Sequence, residues 1–357
     1  MRGTRGALAL CALVVVSACG AGRETLPALP HVSTSAKGPV ELDGNSVELF
    51  TDGAAVVHRL IDAVDAAQRR VEAEIYEFDR PELVAAMLRA LSRGVAVVVI
   101  ADPTVGVDRA TLRTLSQAGA GTWLYPVGKF QIDHVKLLLV DGSVALFGGM
   151  NWGRRSYLNH DFELCLRGPL VVRLEAIFAA DLLRSGAVDT RLPALSASPP
   201  LPMASISLAA TAPADEIRPR VLSALAAART YVFLEMFVLT DSAVIYALCA
   251  AARRGVRVFA LFDPNQQRNR SAAQTLLAAG AHPRFYVTAG EKLHAKAAVI
   301  DGTELLMGSA NWTASGFTRN HELDAILLSP PLASQALARM EEDWEASAPP
   351  SAQGGIP

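Results

Sequence analysis

Two stretches of the chain share one pattern and decide its fold: HVKLLLVD at residues 134–141 and HAKAAVID at residues 294–301. Each is strand-like and apolar, except for a histidine and a lysine two positions apart and an aspartate at its end. Because side chains at positions i and i+2 of a strand face the same way, the histidine and the lysine are predicted to project side by side. An imidazole beside an ammonium at an apolar sheet has a solvation cost, so two matching occurrences indicate a functional site.

The similarity extends outward from these stretches across most of the chain. Arg93-Gly94-Val95 recurs as Arg254-Gly255-Val256, a shift of 161 positions. Other pairs recur at nearly the same shift: Asp102-Pro103 with Asp263-Pro264, Glu74 with Glu235, Tyr125 with Tyr286, Asn151-Trp152 with Asn311-Trp312, and Asn159-His160 with Asn320-His321. The chain is therefore two copies of one plan, of roughly equal size.

Helical and strand-like periodicity alternate within each copy. The strand-like runs are Val71–Phe78 and Val95–Ala101 in the first copy, and Val232–Phe237 and Val256–Phe262 in the second. The later run of each copy is apolar at nearly every position. Strands that are apolar on both faces belong in the middle of a sheet covered by helices on both sides, so each copy is predicted to be an α/β sandwich.

A glycine-rich segment follows each aspartate by six residues, Gly-Gly-Met-Asn at 148–151 and Gly-Ser-Ala-Asn at 308–311. Glycine lets the backbone approach a ligand closely, and asparagine supplies an amide donor. Two lysines and two asparagines suit the non-bridging oxygens of a phosphodiester and the charge that develops on them during transfer. One of two opposed histidines can attack phosphorus while the other protonates the leaving oxygen and then activates water or an alcohol.

A metal site is the alternative explanation for histidines near carboxylates. The lysine beside each histidine repels a dication, and no close set of His and Cys ligands appears in the sequence. We therefore expect each copy to supply half of a phosphodiester site.

The spacing HxK, four residues, Asp, six residues and Gly-Ser-x-Asn resembles the signature of the phospholipase D superfamily, and the resemblance covers about residues 43–346. The second copy matches fully, at His294, Lys296, Asp301, Gly308, Ser309 and Asn311. The first copy matches at His134, Lys136, Asp141 and Asn151, with Gly149 in place of the usual serine, a variant similar to that of the cardiolipin synthase branch. The resemblance implies an α/β fold of two homologous α/β/α units related by a pseudo-twofold axis, with the active site at their interface and no metal or other cofactor.

The resemblance also implies a role for each matching residue. His134 is expected to attack phosphorus and form a phosphohistidine, and His294 to act as acid and base. The other predicted catalytic residues are Lys136, Lys296, Asp141 and Asp301, although in the family the motif aspartate more often supports the strand and loop than touches substrate. The predicted phosphate-binding residues are Asn151, Asn311, Ser309 and Gly149.

In this family a carboxylate downstream of each motif hydrogen-bonds the histidine and orients it. Asp161 and Glu322 match that position, so the shorter Asp161 is expected to hold His134 and Glu322 to hold His294. Glu163 and Asp324, two residues further on, are less favoured substitutes. The histidines at 160 and 321 are interpreted as structural neighbours.

Four further residues are ambiguous in the sequence. Trp152 and Trp312 either flank the pocket or pack on their own sheets, and packing is favoured. Cys165 and Cys249 lie in apolar runs without a nearby partner and are predicted to be buried free thiols.

The amino terminus resembles a bacterial lipoprotein signal. Arg2 and Arg5 precede an apolar run that ends Val-Ser-Ala-Cys-Gly at residues 16–20, which implies lipidation of Cys19, and Gly20 favours the outer membrane. An ordinary signal peptide or an uncleaved anchor is the alternative. The predicted organisation is a signal at 1–18, a flexible tether at 19–42, repeat 1 at 43–190, a Pro-rich linker at 191–207, repeat 2 at 208–346 and a disordered tail at 347–357.

The charge balance bears on the substrate. With 33 basic and 35 acidic residues the formal charge is −2, which excludes a basic nucleic-acid arm. We expect phospholipase D activity on glycerophospholipids, with hydrolysis or transfer to an alcohol, at a membrane reached through Cys19. The alternatives are a cardiolipin synthase-like phosphatidyltransferase, a secreted endonuclease, for which nucleic acid is the disfavoured partner, and a non-catalytic surface lipoprotein. A monomer is expected to suffice, because one chain carries both motifs.

Overall fold

The first repeat folds around a mixed sheet of eight strands in the computed structural model, which describes residues 38–187, 204–212, 214–288 and 290–350. Its elements are β1 (Val40–Leu42), β2 (Asn45–Phe50), α1 (Gly53–Ala66), β3 (Arg70–Ile75), α2 (Pro81–Ser92), β4 (Ala96–Ala101), α3 (Asp108–Gln117), β5 (Gly121–Leu124), β6 (Lys136–Val140), β7 (Val144–Gly148), a 3-10 turn (Ser156–Leu158), β8 (Asn159–His160), β9 (Glu163–Arg167) and α4 (Leu170–Arg184). The strand order is β1-β2-β9-β7-β6-β3-β4-β5, and only the β3-β4-β5 neighbours are parallel.

The second repeat has the same plan. Its elements are β10 (Ile206–Ala210), α5 (Ile217–Ala227), β11 (Tyr231–Met236), α6 (Ser242–Arg253), β12 (Arg257–Phe262), α7 (Asn269–Ala278), β13 (His282–Tyr286), β14 (Lys292–Leu293), β15 (Lys296–Ile300), β16 (Glu304–Gly308), α8 (Ala314–Thr318), β17 (Leu323–Leu328), α9 (Pro330–Glu345) and β18 (Ser347–Ala348). The order β10-β17-β16-β15-β11-β12-β13-β18 repeats that of the first sheet, with β11, β12 and β13 parallel. The predicted pair of homologous α/β/α units is thereby confirmed.

Helices cover both faces of each sheet. In the first repeat Val57 and Leu60 of α1 share a buried core with Val71 and Ile75 of β3, while α4 contacts β6, β7 and β9. In the second repeat α5, α6 and α7 contribute to one core, and α9 contacts β11, β13, β15 and β16. Burial of these apolar faces is the main stabilising contribution to each unit.

The repeated Arg-Gly pair ends a helix in each copy. Gly94 and Gly255 follow α2 and α6 with φ values of +85° and +92°, a left-handed conformation that glycine adopts without strain. The preceding Arg93 donates to the carbonyl of Val64 at 3.0 Å, which satisfies an orphan carbonyl near the end of α1. Arg254 likewise donates to the carbonyl of Leu225 near the end of α5. In each copy the glycine ends one helix and the arginine caps another, which explains why the sequence repeats the pair.

Two very short strands join the repeats. Strand β8 of the first repeat pairs in parallel with β14 of the second, in register Lys292 with Asn159 and Leu293 with His160. A matching isolated bridge connects Asp133 of the first repeat with His321 of the second. Each repeat therefore extends one segment into the other, beside the stretches that begin at His134 and His294.

Several boundaries between the repeats and their flanking segments differ from the predicted ones. Val40–Leu42, placed in the tether, pairs with β2, and Ile206–Ala210, which begins within the predicted linker, pairs with β17. Ser347–Ala348, placed in the tail, pairs with β13. All three are edge strands too short to show a periodicity of their own. The strand predicted from His134 begins instead at Lys136, because the amide of His134 bonds to the other repeat.

Trp152 and Trp312 are buried, which confirms the packing interpretation, and Cys165 and Cys249 are buried free thiols as predicted. The predicted signal with Cys11, the lipidation site Cys19, most of the linker and most of the tail lie outside the described residues. Among the described helices, none combines the length and apolarity required to cross a bilayer.

Candidate active site

The two motif histidines are oriented by carboxylates from opposite repeats. Nδ1 of His134 lies 2.8 Å from Oε2 of Glu322, and Nδ1 of His294 lies 2.9 Å from Oδ2 of Asp161. The sequence correctly singled out both acids but paired each with the histidine of its own copy, which is wrong. The exchange follows from the crossing of β8 to β14, which carries Asp161 into the second repeat.

These carboxylates keep their charge in a buried site. Burial alone would raise the pKa of Glu322, but His134 and Lys136 outweigh it and hold the pKa below its usual range. The pKa of Asp161 is also lowered, against the effect of burial, by His294 and Lys296. An ionised carboxylate accepts a hydrogen bond from Nδ1–H, so the lone pair of each neutral imidazole is on Nε2. Nε2 of His294 lies 3.1 Å from Nζ of Lys296.

Burial keeps both histidines neutral. It lowers the pKa of His134 against the opposing charge of Glu322. For His294 burial, opposed by Asp161 and reinforced by Lys296, lowers the pKa to about 3. Only 5% of His134 and 4% of His294 is exposed, and a neutral imidazole is the form that attacks phosphorus.

The two lysines lie beside the histidines and within each other's field. Nζ of Lys296 is 2.9 Å from Nδ1 of His294, and Nζ of Lys136 donates to the carbonyl of His134. Burial lowers the pKa of Lys136 to about 7 and that of Lys296 to about 8, and the charge of Lys296 contributes to the shift at Lys136. A charge of the second repeat therefore acts on a lysine of the first.

Aromatic rings wall each histidine, a feature that the sequence analysis missed. Tyr76 lies edge-on to His134 and Phe237 lies tilted against His294, both at 4.9 Å between ring centroids. The rings also face the lysines, with Nζ of Lys136 5.2 Å from the Tyr76 centroid. The positions of these rings differ by the repeat shift of 161, and that recurrence is the signal that could have found them.

Glu163 and Asp324 hold the glycine-rich loops and do not orient histidines. Oε1 of Glu163 accepts the amide of Met150 at 2.7 Å, and Oδ1 of Asp324 accepts that of Ala310 at 3.0 Å. A Cβ on Gly308 would lie 2.2 Å from Oδ1 of Asp324, so glycine is required for this approach. The less favoured role considered for both acids as histidine partners is wrong.

Ser309 and Gly149 occupy equivalent loop positions but contact the histidine-orienting carboxylates differently. Oγ of Ser309 donates to Oε2 of Glu322 at 2.6 Å, so its hydroxyl, expected on the phosphate, is committed to the orienting acid. At Gly149 an added Cβ would lie 2.5 Å from Oδ1 of Asp161. The shorter Asp161 is therefore paired with a glycine at the loop position, and the longer Glu322 with a serine.

Of the two loop asparagines, Asn151 contacts a carboxylate close to Lys136. Asn151 is buried, and its Nδ2 is 3.4 Å from Oε2 of Glu77, while Asn311 is half-buried. Burial raises the pKa of Glu77, and Lys136 and Lys292 oppose that rise. Nζ of Lys292 also lies 4.1 Å from the ring centroid of Phe237, which places a further cation beside the second half-site.

The motif aspartates lie at the far end of their strands and touch no site residue named above. Asp141, at φ +55°, accepts the amides of Gln68, Arg69 and Arg70, each at 2.8 Å. Asp301, at φ +52°, does the same for residues 229–231. At roughly 3.3 Å per residue each lies about 20 Å from its histidine. Their inclusion in the catalytic set is corrected: both close the turn that starts β3 or β11.

The rings of His160 and His321 lie in two buried clusters with carboxylates. These clusters are the groups of potential metal ligands found among the described residues, and neither includes His134 or His294. The side chains that converge here are two neutral imidazoles, two lysines and Asn151, an assembly suited to nucleophilic and acid-base attack on a phosphodiester.

Comparison with known proteins identifies relatives of the whole double repeat. The family described as "Cardiolipin synthase, PLD-like domain" matches residues 60–181 and 221–344, more than half of the chain. Cardiolipin synthase 1 of Bacillus cereus is 23% identical, over 85% of this chain and 67% of that protein. Cardiolipin synthase A of Salmonella arizonae is 24% identical, over 82% and 67%. The crystal structure of phosphatidylserine synthase from Haemophilus influenzae shares the fold, with a TM-score of 0.67 at 12% identity over 84% of this chain and 85% of that one.

Proposed function

We propose that this chain, which belongs to the phospholipase D superfamily, is a phosphatidyltransferase of the cardiolipin synthase type. The observation that carries the proposal is the match of the cardiolipin synthase family across both repeats, on a site built from two reciprocally held histidines. The sequence alone favours hydrolysis, with the synthase as the alternative. The relatives support that alternative better, and they support a hydrolase only at the level of the superfamily.

In the first step Nε2 of His134 attacks the phosphorus of a phosphatidyl diester. A P–N bond forms, the P–O bond to the head-group alcohol breaks, and His294 transfers a proton to the departing oxygen. The negative phosphate raises the pKa of His294 on binding, which favours the protonated form that this step needs. Lys136 and Lys296 donate to the non-bridging oxygens, where charge develops.

In the second step the acceptor alcohol takes the phosphatidyl group from His134. His294 removes the hydroxyl proton, the oxygen attacks phosphorus and the P–N bond breaks, which frees His134. When the acceptor is the glycerol head group of phosphatidylglycerol, the product is cardiolipin and the alcohol released first is glycerol. Water in the same position gives phosphatidic acid, so transfer and hydrolysis differ only in the acceptor.

The burial of both histidines favours transfer over hydrolysis, because a site that excludes water lengthens the life of the covalent intermediate. Both half-sites come from one chain, so a monomer is sufficient for the chemistry.

The reaction is tested with purified protein and phosphatidylglycerol vesicles. We expect one cardiolipin for each glycerol released, with little phosphatidic acid, and no product from His134→Ala or His294→Ala. Phosphatidic acid as the dominant product would establish a hydrolase. Cleavage of single-stranded DNA with both lipids intact would establish a nuclease instead.

We further propose that Cys19 is lipidated and anchors the protein in the cell envelope, at the outer membrane. Its support is the Val-Ser-Ala-Cys-Gly sequence at residues 16–20 after a short apolar run. Cells fed labelled palmitate are expected to label the wild type and the control Cys11→Ser, whose cysteine lies in the predicted signal. Labelling that persists in Cys19→Ser contradicts the proposal.

A further inference from the structure

A buried cluster surrounds the side chain of His160. Its Nε2 lies 2.7 Å from Oε2 of Glu235 in β11 and 3.1 Å from Oδ2 of Asp343 in α9. Arg339 makes a two-pronged contact with Asp343, at 2.9 and 2.8 Å. The histidine belongs to the first repeat, whereas its three partners belong to the second.

The second cluster reverses this arrangement. Nε2 of His321 lies 2.9 Å from Oδ2 of Asp181 in α4 and 3.5 Å from Oε1 of Glu74 in β3. Arg184 contacts Asp181 at 2.7 Å. Here the histidine belongs to the second repeat and its partners to the first, so the two repeats exchange histidines.

Charge balance favours one bound proton in each cluster, shared between the imidazole and its carboxylates. Two carboxylates, one guanidinium and one such proton sum to zero, whereas without the proton an uncompensated buried negative charge remains, which is costly. Burial lowers the pKa of both histidines, but the carboxylates outweigh it, so that of His160 is raised and that of His321 is raised well above its usual range. Burial and the neighbouring carboxylate also raise the pKa of Glu74 to about 7. Protons are therefore retained here at neutral pH.

Other titratable groups face these histidines from neighbouring elements. Around His321 they are Glu74, Asp181, Asp133, Arg184 and Tyr125, and around His160 they are Glu235, Asp343, Arg339, Asp161 and Tyr286. A divalent cation would compete with the proton for the same nitrogen. The guanidinium beside each aspartate already neutralises one carboxylate and repels such a cation, so the proton is favoured.

Each cluster is one residue from the active site. The carbonyl of His160 accepts the amide of His294 at 2.9 Å, and the next residue, Asp161, accepts Nδ1–H of the same histidine. The carbonyl of His321 accepts the amide of His134 at 2.8 Å, and Glu322 accepts its Nδ1–H. Two consecutive residues thus hold each motif histidine at its backbone and at its ring.

We propose that His160 and His321 are positioning residues: each ring is held between two buried carboxylates of the opposite repeat, and it fixes there the dipeptide that orients that repeat's motif histidine. His160 thereby positions the ring of His294, and His321 positions the ring of His134. The inference rests on the proposed function only in taking His134 and His294 as the reacting groups.

The first test does not depend on activity. In protein labelled with ¹⁵N-histidine, the hydrogen-bonded Nδ1–H of His134 and that of His294 give separate downfield proton signals. His321→Gln is expected to shift or broaden the His134 signal and leave the His294 signal unchanged, and His160→Gln to do the reverse. Unchanged signals in both variants overturn the proposal, as does equal loss of both signals in each variant.

Two checks keep this result interpretable. If the glutamine variants do not fold, Asp181→Asn and Asp343→Asn weaken the same clusters while keeping the histidine, and the same selectivity is expected. A stoichiometric divalent metal in the purified protein, with its removal by chelator shifting the signals, would overturn the account of a buried proton.

The second test separates the two histidines by their steps. His160→Gln should slow cleavage of an alkyl phosphodiester about 100-fold, because that alcohol must be protonated as it leaves, and it should spare release of p-nitrophenolate in a pre-steady-state burst. His321→Gln should slow cleavage of both substrates, with KM unchanged. Equal slowing of both substrates by both variants would mean a merely structural role. If the wild type cleaves neither ester, the proposed function fails, whereas the NMR result still decides the role of the clusters.

Discussion

Glu322 accepts a hydrogen bond from His134 across the boundary between the repeats, with 2.8 Å between Oε2 and Nδ1. Asp161 and His294 make the reciprocal contact. Neither repeat therefore contains a complete orienting pair, and the histidine of each half depends on the other half for its tautomer.

The first prediction concerns this carboxylate. Glu322→Gln removes the charge that keeps the proton on Nδ1 of His134, so we expect kcat to fall between about 10²- and 10⁴-fold. KM and the melting temperature should change little. The matched control is Glu345→Gln at an exposed position, which should retain wild-type turnover. Wild-type kcat in Glu322→Gln would refute the role of Glu322.

The second prediction separates stability from catalysis at Asp141. Asp141→Ala removes the acceptor of three amides and should lower the free energy of unfolding by about 1–3 kcal/mol, with kcat of the folded protein unchanged. The hydrogen bonds lower the pKa of Asp141 in the folded state against the effect of burial. Its contribution should therefore be complete above pH of about 5 and decline as the pH falls through the lowered value. Denaturant unfolding at several pH values measures this, and a large loss of kcat would restore Asp141 to the catalytic set.

The third prediction concerns pH and substrate binding. With pKa values of about 7 and about 8, Lys136 and Lys296 lose their charge in the free protein as the pH rises through that range. The bound phosphate favours the charged form. We therefore expect kcat/KM to fall above pH of about 7 while kcat falls less. A kcat/KM that stays constant to pH of about 9.5 would contradict the contribution of these lysines to binding.

The fourth prediction uses the difference between the two loops. Gly149→Ser brings a Cβ against Asp161, and Asp161→Glu crowds the same space, so each single variant should lose activity. The double variant reproduces the arrangement of Ser309 and Glu322 and should recover part of the loss, with a coupling of about 1 kcal/mol in activation free energy. Strictly additive losses in this double-mutant cycle would show that the two positions are independent.

Much of the fold was predictable because both copies of the repeat show patterns that span only a few neighbouring residues. Apolar strands, helical spacing and the recurring Arg-Gly pair follow from periodicities of a few residues. The pair His134 and Lys136 was predictable for the same reason, since residues at i and i+2 share a face.

What the sequence could not show depends on contacts between the repeats. Asp161 follows the motif of its own copy along the chain, and nothing local reveals that β8 crosses to β14. The distance of Asp141 from the pocket follows from the direction of β6, and the commitment of Ser309 to Glu322 depends on the longer acid at that position. Each of these is a tertiary relationship between segments that are distant in sequence.

The central claim is that the two halves form one site, in which His134 carries the phosphatidyl group and His294 handles protons. The most direct measurement is mass spectrometry of His294→Ala after reaction with phosphatidyl-p-nitrophenol, whose leaving group needs no acid. The account predicts one phosphatidyl adduct, on the peptide that contains His134, and none in His134→Ala. An adduct on His294 in His134→Ala, or no adduct on His134 in His294→Ala, would contradict it.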